Sequence, residues 1–428
     1  MPVLRRIKRL FVRTAGHERI EPMRNAAGAL SREELKTEPV IVAACPDESE
    51  QCTLRAIDEC IRNMGGLDWV KPGMKIAVKA NMVASASPEK GVTTSPALLR
   101  ALCTRLTQRG ARVVIGDSPG GLYTSAYVNA IYRGCRMQEA LIPGVTLNDD
   151  FSIRKAVFNE ACSIKTFQYT SWLDQADAII NFAKLKTHGM MAMSCSVKNL
   201  FGTIPGTVKP EYHMRFPDTM AFANMLVDLN LYFKPVFHFV DGIIAMEGNG
   251  PTAGTARHMG VVLASRSPFN LDMVCANLIG LRNPDVPTIV AACHRGLGAE
   301  SLDQITLFGS LDPFRKKDFK LVTRRVSVTF GTSGLKGKMF SKAARWVMAS
   351  RPMPVKTRCV GCGRCASICP AKAITMIKKK PGIDRTKCIR CFCCQEFCPE
   401  GAMVVWHNPI GLLISGINTL GDKKNGEQ

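Results

Sequence analysis

Eight cysteines toward the end of the chain stand at a spacing with one well-defined chemical use. The run starting at Cys359 reads CVGCGRCASICP, and the run starting at Cys388 reads CIRCFCCQEFCP. Each is C-x2-C-x2-C-x3-C-P, in which thiolates hold cubane clusters and the fourth cysteine of each run ligates the other cluster. On that pattern Cys359, Cys362, Cys365 and Cys398 hold one [4Fe–4S] cluster, and Cys388, Cys391, Cys394 and Cys369 hold a second. The proline after each fourth cysteine turns the chain away from a helical path. Zinc also binds C-x2-C pairs, but nothing in its four-ligand chemistry asks for a doubled run of four with trailing prolines. Cys393, an extra thiol inside the second run, reads as a small buried apolar side chain rather than a ligand.

A second set of reactive side chains lies upstream, in loops that follow apolar stretches. These are Lys79-Ala-Asn81, the turn from Gly116 through Asp117 to Gly121, and Lys184-Leu-Lys186-Thr-His188 running on to Ser194, Cys195, Lys198 and Asn199. The fourth is Asp241-Gly242 running on to Glu247, Gly248, Asn249 and Gly250. If 190–200 is helical, Met191, Ser194, Cys195 and Lys198 share a face. Lys184, Lys186 and His188 then stand just before it. Such a pocket, with Asn199, Gly248 and Gly250, suits a carboxylate or phosphate. His188 and Cys195 are the acid/base or nucleophile candidates, and Asp117, Asp241 and Glu247 could move protons or bind metal. Singly these features are ordinary: a glycine-rich turn is usually only a turn, and two lysines usually a solvated face. The dinucleotide fingerprint is absent, since Gly248, Gly250 and Gly254 are spaced one residue too long, and no P-loop sequence occurs.

The elements that must position these groups alternate. Val40–Ala44, Lys75–Lys79 and Val113–Asp117 read as strands, separated by helices over Ser49–Met64 and from Ala97 to Arg109. The alternation continues with strands at Ala178–Phe182, Val236–Asp241 and Gly260–Ala264 and helices near 218–231, 268–279 and 286–294. This predicts an α/β domain with a large, mostly parallel sheet and flanking helices over 39–330, where ligands bind beyond the carboxyl ends of strands. A small α+β dicluster ferredoxin domain follows over 357–405, with Ala373–Ile377 and Ala402–Trp406 expected as matching strands. Residues 1–38 read as a basic arm, 331–356 as a basic linker and 406–428 as a tail.

The formal charge is +22, which favours an acidic partner, an anionic substrate, a membrane surface or nucleic acid, although no nucleic-acid module is evident. Leu4, Ile7, Leu10 and Phe11 fall at helical spacing among arginines, so the arm could touch an anionic membrane surface. No apolar stretch reaches the roughly eighteen residues of a membrane span, and no secretory leader is visible. Ten scattered further cysteines imply a reducing, cytoplasmic setting rather than disulfides.

The stretches NFAKLKTHGMMAMSCSVKNLFGTIPG, EYHMRFPD and DGIIAMEGNGPTAG, together with the cysteine runs, resemble the domain-of-unknown-function 362 family over about residues 40–310. The resemblance implies the architecture just given and cytoplasmic iron–sulfur proteins of bacteria and archaea, but no catalytic residues to carry over. The leading expectation is an oxidoreductase that passes single electrons from two [4Fe–4S] clusters to a small anionic substrate, with a redox partner protein. The alternatives are an electron-transfer subunit without catalysis, or an iron–sulfur or metal assembly factor.

Overall fold

The computed structural model describes residues 28–322 and 351–406. The basic helix expected near Leu4–Phe11, the body of the linker and the tail fall outside these. Eleven strands belong to the large domain: β1 Val40–Ala44, β2 Lys75–Lys79, β3 Arg112–Gly116, β4 Val145–Leu147, β5 Ile153–Val157, β6 Thr166–Thr170, β7 Ala178–His188, β8 Ala192–Ser194, β9 Phe237–Glu247, β10 Thr255–Ser265 and β11 Leu307–Phe308. Nine of them form one sheet in the order β11-β1-β10-β9-β7-β2-β3-β4, with β8 paired to β7. The run β9-β7-β2-β3-β4 is parallel, while β10 runs antiparallel to both β1 and β9. β5 and β6 make a separate antiparallel hairpin.

Period-two alternation distributes side chains between the two faces. Ile76 and Val78 of β2 pack under the helices Glu50–Asn63 and Pro96–Gln108, and Ala77 between them faces the helix Thr219–Phe233. Each of these helices starts at a side-chain cap. Ser49 accepts from Cys52 N–H, Ser95 from Leu98 N–H, and Asp218 from Met220 and Ala221 N–H. Such caps are worth about 1 kcal/mol each.

Three sequence expectations change. β7 does not yield to a loop after Phe182; it continues through Lys184, Lys186 and His188, every residue buried. Charged residues argue against a strand interior only when they lack partners, and these have them. Residues 190–200 are not one helix. The chain turns at Gly189 into β8, which pairs back so that Ser194 lies opposite Lys186, and only Ser196–Asn199 is helical. Ser31 caps a helix Arg32–Thr37 inside the expected arm, and Asn270 Nδ2 donates to Lys36 O at 2.9 Å and Glu38 O at 2.8 Å. That end of the arm belongs to the large domain.

The dicluster domain contains β12 Arg351–Pro354, β13 Ile374–Ile377, β14 Lys380–Ile383 and β15 Met403–Trp406. β13 pairs with β14, and β15 pairs with β12, not with β13 as expected. Residues at the end of the expected linker thus complete the ferredoxin sheet.

Asp228 is the main polar tie under the α/β core. Fully buried on the helix Thr219–Phe233, it accepts from Cys162, Ser163 and Ile164 N–H at 3.0, 2.6 and 3.0 Å and pairs with Arg295 at 2.8 Å. Asp228→Ala strands three amide donors and a guanidinium, and should destabilise the large domain by about 3 kcal/mol or more. Urea unfolding of the full chain checks this, and a loss below about 1 kcal/mol contradicts the assignment.

Candidate functional site

β2 ends at Lys79 and β3 at Gly116, so Lys79 and Asp117 meet where two parallel strands stop. Their side chains pair at 2.9 Å, both buried. Asp117 also accepts from Met82 N–H at 2.6 Å and Ser118 N–H at 2.7 Å. Burial lowers the Lys79 pKa and Asp117 opposes that. Gly202 lies directly over the pair, where a methyl group would collide with Asp117 Oδ1 and Lys79 Nζ.

Lys184, Lys186 and His188 share one face of β7. Lys184 pairs with Asp241 on β9 at 2.8 Å, and Asp241 also accepts from Ser95 and Ile243 N–H. Lys186 has no carboxylate within ion-pair distance among the described residues. Its ammonium donates to Asn81 Oδ1 and to Val92 O, each at 2.8 Å. Asn81 in turn donates to Asn199 Oδ1 at 2.9 Å, and Asn199 to Asn181 Oδ1 at 2.7 Å. Burial, followed by the nearby Lys198 charge, brings Lys186 down to about 7. Lys209 donates to Ser118 O and is brought down to about 8, again mainly by burial.

His188 Nδ1 accepts from the backbone N–H of Met190 and Met191 at 3.0 and 3.1 Å, which leaves the proton on Nε2. Burial, then Lys198, pushes the ring down to about 4, so it is neutral near pH 7. Nε2 is buried without a hydrogen-bond partner, and the nearest carboxylate oxygen, Glu396 Oε2, stands 3.8 Å away.

Glu396 comes from the dicluster domain. It closes a cleft whose walls include Asp117, Lys186, Lys198, Asn199 and Lys209, with Phe397 beside it. Burial works against its charge, but Lys198 and the neighbouring imidazole hold Glu396 well below the usual carboxylate range. The closure is held by Gln395, whose Nε2 donates to Asn249 O at 2.9 Å and Gly250 O at 2.8 Å, and by Thr252 Oγ1, which donates to Glu396 O at 2.8 Å. Phe397 presses on Gly120, and Phe392 joins the large domain's core.

Of the residues singled out in the sequence, the cleft collects Asn81, Asp117, Lys186, Ser194, Lys198 and Asn199, with Ser118 and Gly120 of the turn after Asp117. His188 stands beside Glu396, behind the lining. Lys184 and Asp241 neutralise each other. Cys195 is not in the cleft: it packs in a separate apolar cluster near Cys275 and Asp272, where burial raises its pKa well above normal. Glu247 accepts from Lys320 N–H at 3.0 Å and does not line the cleft. Gly248 O accepts from Thr187 Oγ1, and Gly250 O receives Gln395, so this loop is a docking seat. Sequence reasoning missed Lys209 and Glu396 as cleft residues. Lys209 carries no local signal, and Glu396 is hidden between two cysteines whose spacing dominates the reading. The strand-end loop Lys79-Ala-Asn81 is the signal for Asn81, which lines the cleft, while Lys79 pairs with Asp117 behind it.

Cys359, Cys362, Cys365 and Cys398 line one cleft. Cys388 and Cys394 both lie close enough to Cys391 and Cys369 to sense their charges. Among the described residues no three such side chains converge as ligands of a single ion would. Four thiols spread around one cleft, at this doubled spacing, fit a cubane cluster.

A family model described as a domain of unknown function, 362, matches residues 76–277, and one for a 4Fe–4S dicluster domain matches 358–402. A thylakoid-associated protein of Synechocystis is 31% identical over 249 residues, covering 57% of this chain and 74% of that one. Among solved structures, the lactate racemase apoprotein from Thermoanaerobacterium thermosaccharolyticum aligns at 10% identity and a TM-score of 0.38, covering 57% of this chain and 58% of that one. A protein from Thermotoga maritima aligns at 11% and 0.34, covering 54% and 59%. The chain thus spans less than two thirds of either solved structure. Among the described residues no helix is long and apolar enough to cross a membrane. By the extent of these matches, the chain belongs to the domain-of-unknown-function 362 family and carries a C-terminal 4Fe–4S dicluster domain with an iron–sulfur electron-transfer role.

Proposed function

We propose that the protein is an iron–sulfur oxidoreductase whose substrate is a small carboxylate or phosphate seated between the strand ends and the dicluster domain. The carrying observation is that Glu396 and Phe397, two walls of a lysine-lined cleft, sit in the chain between cluster-run residues Cys394 and Cys398. The [4Fe–4S] clusters, when bound, supply or accept electrons one at a time. Chain residues do the rest. Lys186, Lys198 and Lys209 bind and orient the anion, and the neutral His188, behind the lining, turns its Nε2 toward Glu396 at the cleft wall. Phe397 and the docked helix Cys393–Glu396 keep bulk water from the site. A two-electron change in the substrate takes two single transfers, and a separate carrier protein completes the circuit.

The reading includes two clusters per chain, with the ligands crossed between runs. Anaerobically prepared protein should hold about eight irons. Cys369→Ala should lose about half of them and spare the group held by Cys359, Cys362, Cys365 and Cys398. Iron analysis with EPR decides this, and loss confined to that first group contradicts the crossed assignment.

Oxalate, doubly charged above about pH 5, is a suitable probe for the cleft. Lys198 has no ion pair among the described residues and should answer to a bound anion. Lys198→Ala should weaken oxalate binding by about tenfold or more, as expected for a charge-assisted contact, while iron content and folding stay normal. Calorimetry checks this; unchanged affinity leaves a non-catalytic electron-transfer subunit as the better reading.

Lys186 binds an anion as the ammonium and is held at about 7, so the free protein sheds that proton as pH rises through neutrality. Oxalate affinity should therefore fall between about pH 6 and pH 9, with proton uptake on binding at the alkaline end. Titration in buffers of different ionisation enthalpy measures it. Proton release, or a flat profile, contradicts the assignment.

A further inference from the structure

The two cysteine groups face different surroundings. The second run is buried against the large domain: Phe392, Cys393, Cys394 and Gln395 are all buried, and Gln395 bonds to Asn249 and Gly250. The first run looks outward. Cys362 is exposed, and beside it Val360 is 65% exposed, although it is apolar. The β13–β14 turn folds onto this loop. Lys380 Nζ donates to Cys359 O at 2.7 Å, and a methyl group on Gly361 would touch the Lys379 backbone. That contact brings Ile377, 63% exposed, and the exposed Lys378 and Lys379 to the same surface. Arg358 and Arg364 are exposed on the loop itself.

The resulting surface has an apolar pair and an exposed cysteine at its centre, with cations around them. The dicluster domain's own acids offset little of this charge. Residues 351–406 hold eleven Lys or Arg against three acids, one of which, Glu396, is buried in the cleft. Glu400 is the acid on the rim of the first cysteine group. Excess like charge at a surface raises the local concentration of an oppositely charged partner and speeds its encounter. A small apolar centre ringed by charge suits a short-lived complex more than a permanent one.

We propose that this face is the docking surface for an acidic single-electron carrier protein. It resolves the partner that the oxidoreductase reading requires, and rests on that reading only in taking the dicluster domain to exchange electrons. With a reduced carrier as the donor, the geometry sets an order: one electron leaves the carrier and enters at the Cys362 side, then passes toward the Cys394 side and the lysine cleft. The carrier is oxidised by one electron and the domain reduced by one, and no bond is made or broken. A redox protein is favoured over a lipid surface because the exposed centre includes Cys362, a residue of the first cluster run, and only a redox-active partner uses its closeness.

Flavodoxin, reduced to its hydroquinone, is the acidic probe, mixed anaerobically with the full-length iron-loaded protein while cluster absorbance is followed. The reduction rate should fall about tenfold or more between about 50 and 500 mM NaCl. It should fall by a similar factor in Lys378→Glu/Lys379→Glu, and again in Arg364→Glu, which lies on a different element. Reduction by methyl viologen radical cation, which needs no cationic docking surface, should not slow in these variants, and normal iron content shows that they have folded and loaded. A salt-insensitive rate, or normal flavodoxin reduction in both variants, overturns the proposal. So does a result in which phosphatidylglycerol vesicles bind the wild type and not the variants while flavodoxin reduction stays intact. The cleft is judged separately. If flavodoxin reacts as expected but oxalate does not bind, the docking surface stands and the substrate reading falls.

Discussion

Charge burial at the ends of parallel strands is the constraint to which the rest of this structure answers. Removing an ammonium from water costs several kcal/mol unless a partner replaces the lost hydration. Lys79 and Lys184 meet that demand with Asp117 and Asp241. Lys186 meets part of it with two neutral oxygens, and its depressed pKa records the shortfall. Lys198 and Lys209 add to the positive surplus, and the nearest free-standing negative charge is Glu396, supplied by the other domain. Domain docking and cleft electrostatics are therefore one problem: the helix that carries Glu396 completes the site and also places a cysteine run beside it.

That coupling explains why the two domains share packing as well as charge. Phe392 and Val405 join the core of the large domain, and the side-chain amide of Gln395 replaces the strand partner that the loop around Asn249 and Gly250 lacks. Gly120 is glycine at these contacts because Phe397 occupies the space a side chain would need, and Val405 crowds the corresponding space at Gly189. The EGNGP loop, with its acidic and glycine residues at a strand end, has the composition of a ligand loop and serves as a seat for the neighbouring domain.

Much of the architecture was legible because it rests on local rules. The helices after Ser49, Ser95 and Asp218 begin at capping side chains, and β1, β2 and β3 are short apolar runs between them. What was not legible depends on partners distant in sequence. Lys184 and Lys186 look like loop residues until Asp241 and Asn81 are beside them, 57 and 105 positions away. β12 resembles a linker because a proline-containing stretch becomes an edge strand only when β15 lies alongside. Cys195 looks like a nucleophile on an imagined helix, and the hairpin at Gly189 removes that helix. Asp117, Lys186, Lys198 and Asn199 line the cleft, whereas the hairpin path keeps Cys195 out of it and the dicluster domain takes up the loop around Gly250.

The central claim is that an anion in the lysine cleft and an electron in the dicluster domain sense each other through Glu396 and its surroundings. The direct test is the midpoint potential of the clusters, measured by EPR-monitored titration with and without saturating oxalate. A bound anion opposes the added negative charge of reduction, so the account predicts a lower potential with oxalate in the wild type, and in Lys198→Ala a shift that needs about tenfold more oxalate to reach half its value. An unchanged wild-type potential at saturating oxalate would contradict it.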